Sequence, residues 1–543
     1  MNHIIQGERC GKTERAGMLL IAGLLLAAMF FLSVGALVQT TDMNMNNEML
    51  ECAELRWDTW AFNLLILALF LTGCTALNRK LSALDEHKAQ NARLPALCLF
   101  LWILLIGVLW ILMSQSAPTH DSLVVTRAGA AMANGDSHYI AESYYFRYFP
   151  FQLGYVLWTE LWSYVLFLNE GWYLPLEIIN VVCLAAAEAG LVLITDRLFH
   201  RFSVTVLTAG ALALFGQPVL FCSFLYGNIP GFCFAVWGMY LFFGYCESDR
   251  LRYAMGSAVL LSVSVGLKLN NMIVWVAVLL IGLLRGISSG IDIQTRLRRA
   301  SAVLLIAAAV LGLKGFGQWQ YEKRTGKDFG DGIPMVCWLA LGLHESGIGP
   351  GWYAPAYTVT NFRQTGENRE ETSRLAIDAI RERARYFSEH PLDAVRFFVC
   401  KGLSQWNETS FQSIWNNQVR GQYGEKTGIA AYVCGEGEHT VKFLMDQFVQ
   451  LIYAGMFFAV IRLLHEKNPR LFLLPLVVLG GFLYHELFEA KSQYVLTYVI
   501  LMIPYAVYGF QGAAAAILRL ICRIKNRRLW TELPDRERNR PVC

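Results

Sequence analysis

FPFQLGYVLWTELWSYVLFL, residues 149–168, is apolar enough and long enough to cross a bilayer. How it is placed decides the topology of the whole chain. As a span it inverts everything downstream and puts Arg197, Arg201, Arg250 and Arg252 outside. Lys and Arg in short loops favour the cytoplasmic side, so that arrangement is disfavoured. The stretch also carries Gln152, Glu160 and several Trp and Tyr, the signature of a helix lying in the interface. It is therefore expected along the outer face, which places residues 114–169 and 317–441 on the same outer side.

Around it, apolar runs recur at 17–39, 59–78, 95–113, 172–195, 204–224, 229–246, 254–268, 272–284, 300–316, 443–464, 471–487 and 494–511. Most approach the ~20 residues that a helix needs to cross ~30 Å of hydrocarbon. One set of connections holds Arg79, Lys80, Lys88, Arg93, Arg197, Arg201, Arg250, Arg252, Arg296, Arg298, Arg299, Lys467 and Arg470. The tail adds Arg519, Arg523, Lys525, Arg527 and Arg528, whereas the opposite short connections offer only Arg56 and Lys491. The expectation is an all-α polytopic membrane protein with about twelve transmembrane helices, interfacial helices on the outer face and a mainly helical extracytoplasmic segment. It would sit in the plasma membrane with both termini cytoplasmic. Of the 543 residues 55% are hydrophobic and 16% charged, too few charges to coat a soluble protein of this size. A mean hydropathy of +0.39 agrees. Net charge is +4, which leaves no nucleic-acid footprint.

The organisation follows from these runs. Residues 1–94 hold two leading spans, which look like an addition; the first, after Arg9, Lys12 and Arg15, suits a retained signal anchor. Residues 95–318 form a transmembrane core with a first outer loop at 114–170, and 319–442 form the extracytoplasmic segment. Residues 443–512 give three more spans and 513–543 a basic tail. Between Arg252 and Arg285 the chain is too short for a hairpin that crosses twice at 1.5 Å per residue. The turn Lys268-Leu269-Asn270-Asn271 is therefore recessed, where polar backbone needs protein or a wet cavity around it. Residues 367–388 have the spacing of an amphipathic helix, and 397–406 suit another interfacial one. The thirteen Cys lack zinc-ligand spacing. Cys52, Cys337 and Cys434 fall outside, where a disulfide is one option.

The first outer loop reads Pro118-Thr119-His120-Asp121, then Gly135-Asp136, then Tyr144-Tyr145-Phe146-Arg147-Tyr148-Phe149-Pro150-Phe151-Gln152-Leu153-Gly154. Lys268-Leu269-Asn270 lies between the short spans, and Glu489-Ala490-Lys491-Ser492-Gln493-Tyr494 precedes the last. From about residue 95 onward this layout resembles the C-superfamily of glycosyltransferases, which includes protein O-mannosyltransferases and lipid A aminoarabinose transferases. It looks most like members from Gram-positive bacteria, in which an early Asp precedes a Y-x-x-Y-P-x-x-L-G-like stretch. Two departures stand out. Phe149-Pro150-Phe151-Gln152 replaces the usual Tyr-Pro followed by two Asn, and the paired acidic motif is reduced to Asp121 between His120 and Ser122.

The resemblance implies a polyprenyl-phosphate sugar donor, membrane lipid around it, and an extracytoplasmic acceptor that is a glycan, a lipid or a protein. An inverting displacement needs a base for the acceptor proton, and Asp121 is the candidate. An Asp there can equally cap a helix over 122–131. The departing phosphate needs cations, for which Lys268, Arg147 and Lys491 are candidates. Lys268 is the most costly to place without an anion. Asp136, Glu142, Gln152, Asn270, Glu489 and Tyr494 are candidates for substrate contact. Trp338, Trp352, Trp406 and Trp415 could stack on sugars or simply pack in the core. No cofactor is implied. His485, Glu486 and Glu489 do not share one helix face, so no metal ligands are assigned. A transporter or lipid flippase is the alternative, although such proteins commonly carry inverted repeats and comparable loops on both sides. A noncatalytic scaffold would leave Asp121 far from Lys268.

Overall fold

The computed structural model describes residues 11–45, 51–86, 91–168 and 171–532. Arg9, Lys88 and the tail beyond residue 532 lie outside the described residues, as do the side chains of Arg79, Lys525, Arg527 and Arg528. The chain is an all-α polytopic membrane protein. Among the described residues ten helices are long and apolar enough to cross a membrane, and two shorter apolar ones, Phe202–Leu214 and Leu251–Leu267, account for the remaining expected segments.

In chain order the main elements are α1 Lys12–Val38, the strands β1 Gln39–Met45 and β2 Glu51–Trp57, α2 Trp60–Ala83 and α3 Arg93–Ser114. Then come α4 His120–Ala133, α5 Leu153–Val165, α6 Leu174–Phe199, α7 Phe202–Leu214 and α8 Asn228–Ser248. A hairpin of two shorter helices, α9 Leu251–Leu267 and α10 Met272–Gly286, is followed by α11 Ile293–Leu313. The outer segment contains α12 Arg369–Glu389 and α13 Pro391–Trp406. Three helices close the chain, α14 Glu438–Leu463, α15 Leu473–Leu487 and α16 Ser492–Glu532.

α5 has 13 residues, about 20 Å of helix at 1.5 Å per residue, too short to cross the membrane. It packs on α4 and α9. Gly154 makes the second contact possible, because a Cβ there would strike the Gly266 carbonyl of α9. The run 204–224 is not one span. Pro218 lacks an N–H and its ring clashes with a preceding carbonyl, so α7 stops at Leu214 and a short helix restarts at Gln217–Phe221. The last helix runs well past residue 511, to Glu532.

The basic loops meet at one end of the bundle. Arg201 pairs with Asp85 at 3.1 Å, Arg299 and Arg285 with Asp249 at 3.0 and 3.5 Å, and Arg470 with Glu247 at 3.9 Å. Arg15 donates to the carbonyls of Leu464 and Glu466. The opposite end carries α4, α5, the outer segment and the antiparallel β1–β2 hairpin, in register from Gln39↔Trp57 to Met45↔Glu51. The two leading spans are packed into the bundle, α1 along α14 and α2 along α16.

Candidate active site

Four chain breaks converge at the end of the bundle opposite the basic loops. The first is the start of α4. Thr119 is extended (φ −136°, ψ 167°) and precedes His120, whose φ of 49° is left-handed and costly for a side chain with a Cβ. Asp121 follows in the first helical turn, where the N-terminal dipole favours a carboxylate. It does not cap the helix: the N-cap position belongs to Thr119. Its side chain is solvent-accessible, although protein atoms crowd around it.

The second break is the end of α9. Lys268 leaves the helix in extended conformation (φ −150°, ψ 112°) before the one-turn segment Leu269–Asn271. Its ammonium lies 4.4 Å from the Tyr226 ring centroid and 5.0 Å from that of Tyr494. Gly227 allows this packing, since a Cβ there would collide with the Leu267 carbonyl. The third break joins α15 to α16 through Glu489, Ala490 and Lys491. Ala490 donates its amide to Gly351 at 2.8 Å, and the buried Lys401 ammonium donates to the Gly342 and Phe488 carbonyls at 2.5 and 2.7 Å. These bonds fix the short connection against the outer segment. The fourth is the β1–β2 hairpin, where Glu51 pairs with Lys491 at 3.0 Å.

Asp121 faces Lys491, Lys268 and the Tyr145 hydroxyl. Loss of solvent raises its carboxyl above the usual range, with the two lysines and Tyr145 partly opposing that rise. Burial also lifts Glu489 to about 7, against Lys491 and Lys268 and with help from Glu51 and Asp121. For Lys491 burial disfavours the charge, but the Glu51 and Glu489 carboxylates outweigh it and hold the ammonium above its ordinary value. The Tyr145 hydroxyl is buried between Asp121 and Tyr226.

Thus Asp121, Lys268, Glu489, Lys491 and Tyr494 come together. Asn270 lies in the adjoining polar crevice with Lys268, Asn228 and Tyr494. Gln152 stands one layer back, donating to the Tyr226 hydroxyl. Three candidates fall elsewhere. Arg147 is half exposed and pairs with Glu367 at 3.3 Å. In the one-turn helix Tyr144–Tyr148 it shares the outer face with Tyr144, while Tyr145 turns inward. Glu142 is exposed and pairs with Lys327 at 3.5 Å, and Asp136 accepts the His138 amide at 2.9 Å in an exposed turn. None of the three is among the groups that face Asp121.

Tyr145, Tyr226 and Glu51 are the site residues that sequence reasoning missed. Tyr145 lay inside the quoted motif, and Glu51 was an acid in a short loop on the same side as Asp121. Trp352 and Trp406 are wholly buried core residues. Cys52, Cys337 and Cys434 are free thiols. Among the described residues, no group of three or more His, Cys, Asp and Glu is arranged to hold a metal ion.

Beside the cluster an apolar groove of about 650 Å³ runs between α5, α9 and the end of α11. Leu157, Leu161, Val263, Leu267 and Phe316 line it, with Glu160 at its edge. Leu267, which lines the groove, directly precedes Lys268 in the chain.

No family model matches the chain, and no curated protein matches it. Among solved structures it is similar to the archaeal oligosaccharyltransferase AglB from Archaeoglobus fulgidus in complex with an inhibitory peptide and a dolichol-phosphate. The identity is 13% and the TM-score 0.38 over 79% of this chain and 52% of that one, so the chain spans about half the length of that protein. A likeness this distant carries no argument about activity.

Proposed function

We propose that this protein is a plasma-membrane glycosyltransferase, with both termini cytoplasmic, that moves a sugar from a polyprenyl-phosphate donor to an acceptor on the outer side. The observation that carries the proposal is Asp121 facing Lys268 and Lys491. The apolar groove between α5, α9 and α11 suits an isoprenoid chain. A scaffold has no need of this convergence, and a flippase would need polar groups along a crossing path rather than gathered at one end.

In the proposed reaction the acceptor hydroxyl lies against Asp121, which takes its proton. The acceptor oxygen attacks the anomeric carbon from the face opposite the phosphate. The bond to the phosphate oxygen breaks, and its electron pair leaves with the lipid phosphate. Lys268 and Lys491 stabilise the charge that develops there. The configuration at carbon inverts. Glycan, lipid and protein hydroxyls all satisfy this chemistry as acceptors.

The test is turnover of radiolabelled polyprenyl-phosphate sugars by protein reconstituted in nanodiscs with those acceptor classes. Transfer of label with inverted configuration is expected. Lipid transport without any transfer product would replace the proposal with the flippase.

A further inference from the structure

The β1–β2 hairpin belongs to the two leading spans, yet it is fastened to the outer segment. Thr41 donates its amide to Asn407 and Ala53 to Ile348, both at 3.0 Å, and Met43 is buried with Trp352 and Ala490. This fastening holds Glu51 over the site. One carboxylate oxygen accepts from Lys491 at 3.0 Å and the other from the Gln412 amide at 3.1 Å. The lysine is 20% exposed and the glutamate 17%, so solvent screens the pair only in part.

Lys491 faces Glu51, Glu489 and Asp121, and Glu51 is the carboxylate paired with it directly. An arriving phosphate must meet Lys491 where Glu51 already supplies an anion. The hairpin backbone is pinned on both strands, and Gln412 holds the far oxygen of Glu51. The side chain can therefore leave Lys491 without the hairpin moving or the carboxylate losing its second partner.

We propose that Glu51 is a displaceable counter-ion: it occupies the anion position on Lys491 in the resting protein and yields it to the donor phosphate. This inference rests on the donor class proposed above. It makes the N-terminal hairpin the element that sets phosphate affinity. It also makes the hairpin discriminate by charge, because the nearby Glu51 carboxylate opposes a diphosphate more than a monophosphate.

The experiment is calorimetric titration of full-length protein in nanodiscs with farnesyl phosphate and farnesyl diphosphate. Glu51→Gln is expected to bind the monophosphate about tenfold more tightly than wild type and to gain more for the diphosphate. Glu51→Asp keeps the charge but draws it back from Lys491, and an intermediate gain is expected. Lys491→Gln is expected to lose binding. Equal or weaker binding by Glu51→Gln and Glu51→Asp, with wild type binding normally, overturns the inference alone and makes Glu51 a positioning residue for Lys491. Failure of wild type and both Glu51 variants to bind either phosphate overturns the donor class and the inference together.

Discussion

The Lys268 ammonium lies 4.4 Å from the Tyr226 ring centroid, at the point where α9 ends. The ring face supplies partial negative charge without neutralising the cation, so the ammonium stays available to an anion. Replacing Lys268 with Gln is expected to lower kcat/KM about 10²–10³-fold, the scale seen when one transition-state charge partner is removed. Lys268→Arg should recover part of the loss. Steady-state kinetics with a lipid-linked donor checks both; a Gln variant within threefold of wild type would remove Lys268 from the phosphate site.

The pH dependence has a defined sign. Asp121 is raised above the ordinary carboxyl value mainly by burial, and a base works only when ionised. Activity should therefore be present above that raised pKa and fall as pH drops through it. Lys491 stabilises the ionised form, so Lys491→Gln should move the Asp121 titration to higher pH by about one pH unit. Infrared difference titration against Asp121→Asn reads the carboxylate band directly and needs no turnover. A shift to lower pH would mean that Lys491 does not act on Asp121.

Gly154 and Gly266 let α5 and α9 touch backbone to backbone, and the groove lies along this seam. A methyl group at 154 must push the helices apart. Gly154→Ala is expected to destabilise the protein by about 1–3 kcal/mol, visible as a lower Tm in nanodiscs. An unchanged Tm would show that the seam yields freely.

If the groove takes the isoprenoid chain, filling it should harm long-chain donors selectively. Val263→Trp places a large ring in its wall. KM for a long-chain donor should rise about tenfold, with KM for a short-chain analogue unchanged. Equal effects on both donors would detach the groove from donor binding.

Much of the fold could be read from apolar run length and basic loops, because both follow directly from the cost of burying charge in hydrocarbon. Residues 149–168 were resolved in the same way, and the 13-residue α5 agrees. Pro218 carried the signal for the break after α7, but an apolar run of ordinary span length masked it. The β1–β2 hairpin was hidden for another reason. Gln39–Met45 contains only two β-branched residues, and the hairpin is fastened through Thr41 and Ala53 to the backbones of Asn407 and Ile348 far along the chain. Within the site, Asp121, Lys268 and Lys491 were named from the resemblance and the cost of isolated charge. Arg147 was misplaced because a one-turn helix in a run of aromatics gives no periodicity from which to choose its inward face. Glu51 escaped because its partner lies 440 residues away.

The central claim is that Asp121 takes the acceptor proton. The most direct measurement is single-turnover transfer from a polyprenyl-phosphate sugar by Asp121→Asn, with wild-type Tm and donor affinity verified on the same preparation. The account predicts a transfer rate lower by about 10²–10⁴-fold with donor still bound. A transfer rate equal to wild type would contradict it.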